Sequence, residues 1–209
     1  MISSGLVPVQ RSLRYTQRTS TGQPRHLVYL LHGYGQLSRY FIRKVEEVLP
    51  EAVCFVAPEG MHRFYLNGTA GRVGASWMTK EARELDIIEN TASLDALHTA
   101  ITENWKPERI TVIGFSQGGA TAARWLANGA IEADCFVSWA SVFPPDIAFP
   151  EEQLAPERYF VLGNNDPYFN ESDAARACAA YEQIGFEVVR FEGVHDLDTA
   201  VIEQLLQRV

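Results

Sequence analysis

From His26 the chain reads His-Leu-Val-Tyr-Leu-Leu, and runs of the same kind recur at Val53–Ala57, Ile110–Phe115, Cys135–Ser141, Arg158–Leu162 and Glu187–Phe191. Continuous rather than alternating apolar residues predict strands covered on both faces, as in a parallel sheet. A looser alternation over Val9–Arg18 predicts an edge strand. Between these runs the apolar spacing changes to that of a helix. In Ser38–Leu49 it brings together Phe41, Ile42, Val45, Val48 and Leu49. In Glu81–Trp105 a broad stripe holds Leu85, Ile88, Leu94, Leu97 and Ile101, and Lys106-Pro107 ends it. Gln117–Asn128 and Glu171–Ile184 close at Gly129 and Gly185, and Leu197–Arg208 supplies a last helix. Strands alternating with helices predict an α/β fold, with one domain over 1–209 and a mostly parallel sheet flanked by helices on both faces. Glu59–Thr79, rich in glycine and aromatics, and Phe143–Pro156, rich in proline and acids, read as loops. Connections that long in a compact domain are often functional.

Composition narrows the partners. A net charge of −8 disfavours nucleic acid and anionic membrane, which need a positive footprint. Cys54, Cys135 and Cys178 are odd in number and form no CxxC pair; the first two fall in strand-like runs and read as core residues of a protein in a reducing compartment. Met1–Gln10 lacks the basic and apolar regions of a leader, and no stretch approaches the ~18 apolar residues of a membrane span. The expectation is a cytoplasmic protein without integral membrane association, a monomer or homodimer.

The chemistry concentrates in Gly114-Phe115-Ser116-Gln117-Gly118-Gly119, which follows the run ITVIGF and opens a helix. G-x-S-x-G between a strand and a helix describes a nucleophile elbow: glycines let a strained turn pack closely, and the turn lifts the serine hydroxyl off the sheet edge. A glycine-rich turn packing its helix tightly is the plain alternative. A serine needs a base held by a third group, in the order Ser, acid, His in such a fold. Of His26, His32, His62, His98 and His195, only His195 follows Ser116, just past the last strand. Asp166, just past Arg158–Leu162, is the expected acid, although a turn-forming Asp before Pro167 would look the same. Its rivals are Asp146, Asp173 inside a helix, and Asp196 and Asp198, which read as helix caps. Two backbone N–H groups should bind the oxyanion, one from Gln117 and one from Tyr34 in His32-Gly33-Tyr34-Gly35, with His32 shaping that loop.

LHGYG, APEG, GASWM, GFSQGG, GNNDP and GVHD occur here in the order that resembles the phospholipase/carboxylesterase family of α/β-hydrolases, which includes bacterial carboxylesterases and acyl-protein thioesterases. The resemblance spans roughly residues 26 to 208. It implies a single-domain α/β-hydrolase with no large cap domain, acting without metal or cofactor on a small-molecule or lipid acyl ester: a carboxylic ester, a thioester or a lysophospholipid. It carries nucleophile, acid and base to Ser116, Asp166 and His195, and the oxyanion donors to Tyr34 and Gln117. Asp166-Pro167-Tyr168-Phe169-Asn170 departs from the Val-Pro ending usual in the family, and GASWM matches only loosely. Phe64, Tyr65, Trp77, Met78, Phe143, Tyr168 and Phe169 lie in loops near the active edge, and some of them, Phe64, Trp77, Met78 and Tyr168 foremost, are expected to line the acyl site, with ordinary loop packing as the alternative. Arg63 and Arg72 lie in a loop where a phosphate could be bound, with plain solvation as the alternative. A catalytically inactive binding or regulatory protein on the same scaffold is the competing function.

Overall fold

The unbroken apolar run His26–Leu31 becomes a strand with five consecutive buried residues, which requires cover on both faces of the sheet. In the computed structural model, which describes residues 2–20, 23–48, 50–147 and 154–208, this strand is β2 of a seven-stranded sheet. The others are β1 (Tyr15–Thr19), β3 (Val53–Pro58), β6 (Arg109–Phe115), β7 (Cys135–Trp139), β8 (Glu157–Gly163) and β9 (Glu187–Phe191). A separate hairpin pairs β4 (His62–Tyr65) with β5 (Val73–Ser76). The helices are α1 (Ser38–Phe41), α2 (Arg83–Thr102), α3 (Gln117–Asn128), α4 (Glu171–Gln183) and α5 (Thr199–Gln207), with a 3₁₀ helix at Ile42–Val48 after α1. The sheet order is β1-β3-β2-β6-β7-β8-β9, and only the edge strand β1 runs antiparallel, against β3.

Several boundaries differ from the sequence reading for local reasons. The edge strand covers Tyr15–Thr19 rather than Val9–Arg18, because pairing with β3 begins at Tyr15 opposite Pro58. The expected helix Ser38–Leu49 splits, and Leu49 lies outside the described residues. Ile42, Val45 and Val48 recur every third residue, the repeat of a 3₁₀ helix, and Ile42 and Val45 are buried on that spacing. Helix α2 starts at Arg83 because Ala82 takes a left-handed conformation (φ 51°). Helix α5 starts after Asp198, whose carboxylate accepts from the Val201 N–H as a cap. The stretch Glu59–Thr79 contains the β4–β5 hairpin, whose strands of four residues are too short and glycine-rich to show in the pattern. Of Phe143–Pro156, residues 148–153 lie outside the described residues. Cys54, Cys135 and Cys178 are all free; Cys54 and Cys135 are buried, and burial pushes the Cys135 thiol up to about 12.

The register aligns the carboxyl ends of the parallel strands at one edge: Leu31 lies opposite Gly114, Phe115 opposite Trp139, Trp139 opposite Val161 and Gly163 opposite Phe191. Connections leave β2 toward one side of the sheet and β6 toward the other. The switch point therefore falls between these neighbours, where ligands bind in open α/β sheets.

Candidate active site

Ser116 occupies the turn from β6 into α3 at φ 53° and ψ −119°, an uncommon conformation for a residue with a side chain. Strain of this kind costs about 1–3 kcal/mol and persists only where the surroundings enforce it. They do so here through the flanking glycines. A Cβ on Gly114 would stand 2.5 Å from the Gly118 oxygen, and a Cβ on Gly118 would overlap the Leu31 carbonyl. The Ser116 N–H donates to Trp139 O at 2.8 Å, and its own carbonyl accepts from Gly119 N at 3.0 Å.

The loops after β8 and β9 are zipped together. Asn164 N donates to Phe191 O at 2.8 Å, and Asn165 N to Gly193 O at 2.9 Å. This brings His195 Nδ1 to 2.7 Å from Asp166 Oδ2, while Asp166 Oδ1 accepts from Tyr168 N at 2.9 Å. The Asp166 side chain is fully buried and the His195 ring is partly exposed to the cleft. With Nδ1–H committed to the carboxylate, Nε2 of the neutral imidazole carries the free lone pair. The ring is held between Phe115, at 4.8 Å between centroids, and Tyr168, at 4.5 Å. The following residue is fixed as well: Lys44 Nζ donates to both Asp196 oxygens at 2.5 and 2.6 Å, and Trp139 Nε1 donates to Asp196 O at 3.0 Å.

The rival carboxylates are engaged elsewhere. Asp146 is gripped by Arg124 through two hydrogen bonds of 2.7 and 2.8 Å and by Arg83, and Arg124 holds its carboxyl well below the usual range. Asp173 receives Arg176, Asp198 caps α5, and Asp196 binds Lys44 rather than capping a helix.

Ser116 and His195 face one cleft of about 1130 Å³. Tyr34 and Gln117 line it too, and among the described residues their backbone N–H groups donate to no protein acceptor. The Ser116 hydroxyl likewise has no hydrogen-bond partner among the described residues, an arrangement common before substrate binds. Of the aromatic and apolar residues expected near the acyl site, Tyr168 and Phe169 line the cleft, Tyr168 largely exposed, and Phe64, Trp77 and Met78 do not. Trp77 is fully buried: its indole stacks on His32 at 5.0 Å and donates to His32 O at 2.8 Å. Met78 O accepts from Gln117 Nε2 at 2.8 Å, and Phe64 packs on the Tyr34 ring at 5.1 Å. These three residues support the wall from behind. An aromatic in a glycine-rich segment gives no sign of which side of that wall it occupies.

Side chains to which the sequence assigned no role complete the wall. Gln36 Oε1 accepts from Gly33 N at 2.9 Å, closing the loop that carries Tyr34. The Gln117 carboxamide reaches Ser76, Trp77 N and Met78 O. Phe115, Ala120, Val142, Ala177 and Ala180 give the cleft its apolar lining. Among the described residues no three His, Cys, Asp or Glu side chains are grouped as a metal would need.

His32 is fully buried, accepts from Gly60 N at 2.9 Å through Nε2, and has Nδ1 2.7 Å from Gly33 O. Burial pulls its pKa down to about 4, and His26 beneath the sheet edge is likewise held at about 4 by burial and by Arg109. Both are neutral in the folded protein, while unfolded histidine titrates near ~6.5. The unfolded chain therefore binds more protons between these values. The stability these groups contribute is complete above pH ~6.5 and is lost as pH falls toward 4, at up to about 1.4 kcal/mol per pH unit for each group. Urea midpoints at pH 7.5, 6 and 5 are expected to fall in that order. Equal midpoints would contradict the neutral, buried state of His32.

A parallel sheet with an elbow serine, a histidine–aspartate pair and two free N–H groups at its carboxyl edge defines an α/β-hydrolase. The family model described as phospholipase/carboxylesterase matches residues 18–209, and the chain belongs to that family. Among solved structures, the esterase PE8 is 20% identical with a TM-score of 0.67, covering 95% of this chain and 100% of its own. The Bacillus cereus carboxylesterase is 17% identical (TM-score 0.61; 94% and 92% covered), and Zea mays acyl-protein thioesterase 2 is 16% identical (TM-score 0.67; 93% and 96% covered). A comparison with curated protein sequences gives no match. No helix among the described residues is long and apolar enough to cross a membrane.

Proposed function

We propose that the protein is a serine acyl hydrolase that cleaves carboxylic esters, including thioesters, through an acyl-enzyme on Ser116. The observation that carries this reading is the strained Ser116 sharing one cleft with a His195 whose Nδ1 is bound to the buried Asp166. His195 Nε2 takes the hydroxyl proton as Ser116 Oγ attacks the carbonyl carbon. The oxyanion that forms is received by the N–H groups of Tyr34 and Gln117 and by the positive end of α3. The tetrahedral intermediate collapses, the carbon–heteroatom bond breaks, and the imidazolium returns its proton to the departing alcohol or thiol. Water, deprotonated by the same imidazole, then releases the acid. Asp166 keeps the ring in the required tautomer and stabilises its charged form. The acyl chain lies over Ala120, Val142, Ala177 and Ala180. The free Cys54, Cys135 and Cys178 support a cytoplasmic setting.

The test is labelling by a fluorophosphonate together with hydrolysis of p-nitrophenyl esters from acetyl to palmitoyl. The expected result is a single adduct on the peptide containing Ser116 and turnover that peaks at one range of acyl lengths. Neither label nor turnover would leave a binding protein on this scaffold.

A further inference from the structure

A second cleft, of about 720 Å³, lies across the Tyr34–Gln36 loop from the first, and Gln36 lines both. Lys44 forms part of its wall and grips Asp196, the neighbour of His195, so the second cleft abuts the His195 loop. The departing atom of an ester must take its proton from His195 Nε2, so the leaving group departs on the imidazole's side. The apolar alanines of α3 and α4 stand elsewhere in the first cleft and suit the acyl part.

Among the described residues, the lining of the second cleft carries Arg39, Lys44 and Arg72 and no carboxylate. Lys44 is neutralised by Asp196. Nearby, Arg14 and Arg63 are held by Glu59, and Arg18 by Glu46. Arg39 and Arg72 have no acidic partner among the described residues. The Arg39 guanidinium lies 4.7 Å over the Tyr40 ring, and Arg43 lies 5.4 Å from the same ring. Uncompensated cations converging on one cleft are unexpected in a chain of net charge −8. Guanidinium forks match the oxygens of carboxylate and phosphate.

We propose that this second cleft binds an oxyanion on the leaving group, making the preferred substrates acyl esters or thioesters whose alcohol or thiol part carries a phosphate or carboxylate. This rests on Ser116 acting as the nucleophile. The test uses the acyl chain best accepted in the p-nitrophenyl series, joined to 4-hydroxybenzamide, 4-hydroxybenzoate or 4-hydroxyphenyl phosphate, with each enzymatic rate divided by the rate of alkaline hydrolysis. The wild-type protein is expected to favour the anionic esters by about tenfold in kcat/KM, and less as salt screens the contact. The double variant Arg39→Gln/Arg72→Gln is expected to bring that ratio to within about twofold of unity. The ratio is internal to each variant, so a loss of folded protein lowers both rates and cannot produce the change. Greater preference for phosphate or for carboxylate identifies which oxyanion the cleft is built for. Equal normalised rates in the wild-type protein, or a preference that survives in the double variant, would overturn the subsite while leaving the Ser116 reading intact. No turnover of any of the three esters, with Ser116 unlabelled, would overturn both.

Discussion

Ester turnover is expected to fall by about 10³- to 10⁶-fold when Ser116 is replaced by alanine, because in the proposed mechanism the acyl group is carried on Ser116 and residues of such a triad act as a unit. The backbone at this position sharpens the test. Alanine inherits the strained φ of 53°, so Ser116→Ala should fold with nearly unchanged stability. Ser116→Gly, equally inactive, relieves the strain and should gain about 1 kcal/mol. Steady-state kinetics and urea midpoints on the two variants separate chemistry from folding. Activity of Ser116→Ala within tenfold of wild type would remove Ser116 from the mechanism.

A single methyl group two residues further on is expected to do comparable damage by a different route. In Gly118→Ala the new Cβ meets the Leu31 carbonyl and lies 2.6 Å from His32 O, both backbone atoms that cannot rotate aside. The first turn of α3 must then lift off the end of β2. That shift displaces the Gln117 N–H from the oxyanion position proposed for it and costs packing, for a destabilisation of about 3 kcal/mol or more. A lower urea midpoint should accompany a kcat reduced by at least about 10²-fold, the loss typical of a missing oxyanion donor. A Gly118→Ala protein with wild-type midpoint and rate would show that the elbow is looser than its geometry implies.

What could be read from the sequence depended on how locally each feature is encoded. The buried strands were plain because their apolar runs need cover on both sides, and Gln117–Asn128 matches α3 end to end. Ser116, Asp166 and His195 were legible because each follows a strand, and a parallel register puts all such loops at one edge. The split of Ser38–Leu49 was written in the three-residue spacing of Ile42, Val45 and Val48, but Phe41 and Leu49 completed an equally good α-helical stripe. The role of Trp77 was not legible, since stacking on His32 joins residues 45 positions apart and leaves no periodic trace. The same holds for Lys44 and Asp196, which meet only when α5 packs on the 3₁₀ helix.

That last contact bears on how the protein comes into being. A ribosome releases the Tyr34 loop after β2 and the Ser116 turn after β6 well before it releases residue 195. If Ser116 and His195 act as proposed, the hydroxyl of Ser116 has no base until then, and a nascent chain so composed is chemically silent toward acyl groups around it. In the proposed mechanism competence arrives when the His195 loop is zipped to the end of β8 and latched by Lys44. Regain of turnover during refolding therefore dates the closing of the carboxyl half of the sheet, an event that burial of the central strands alone would not reveal.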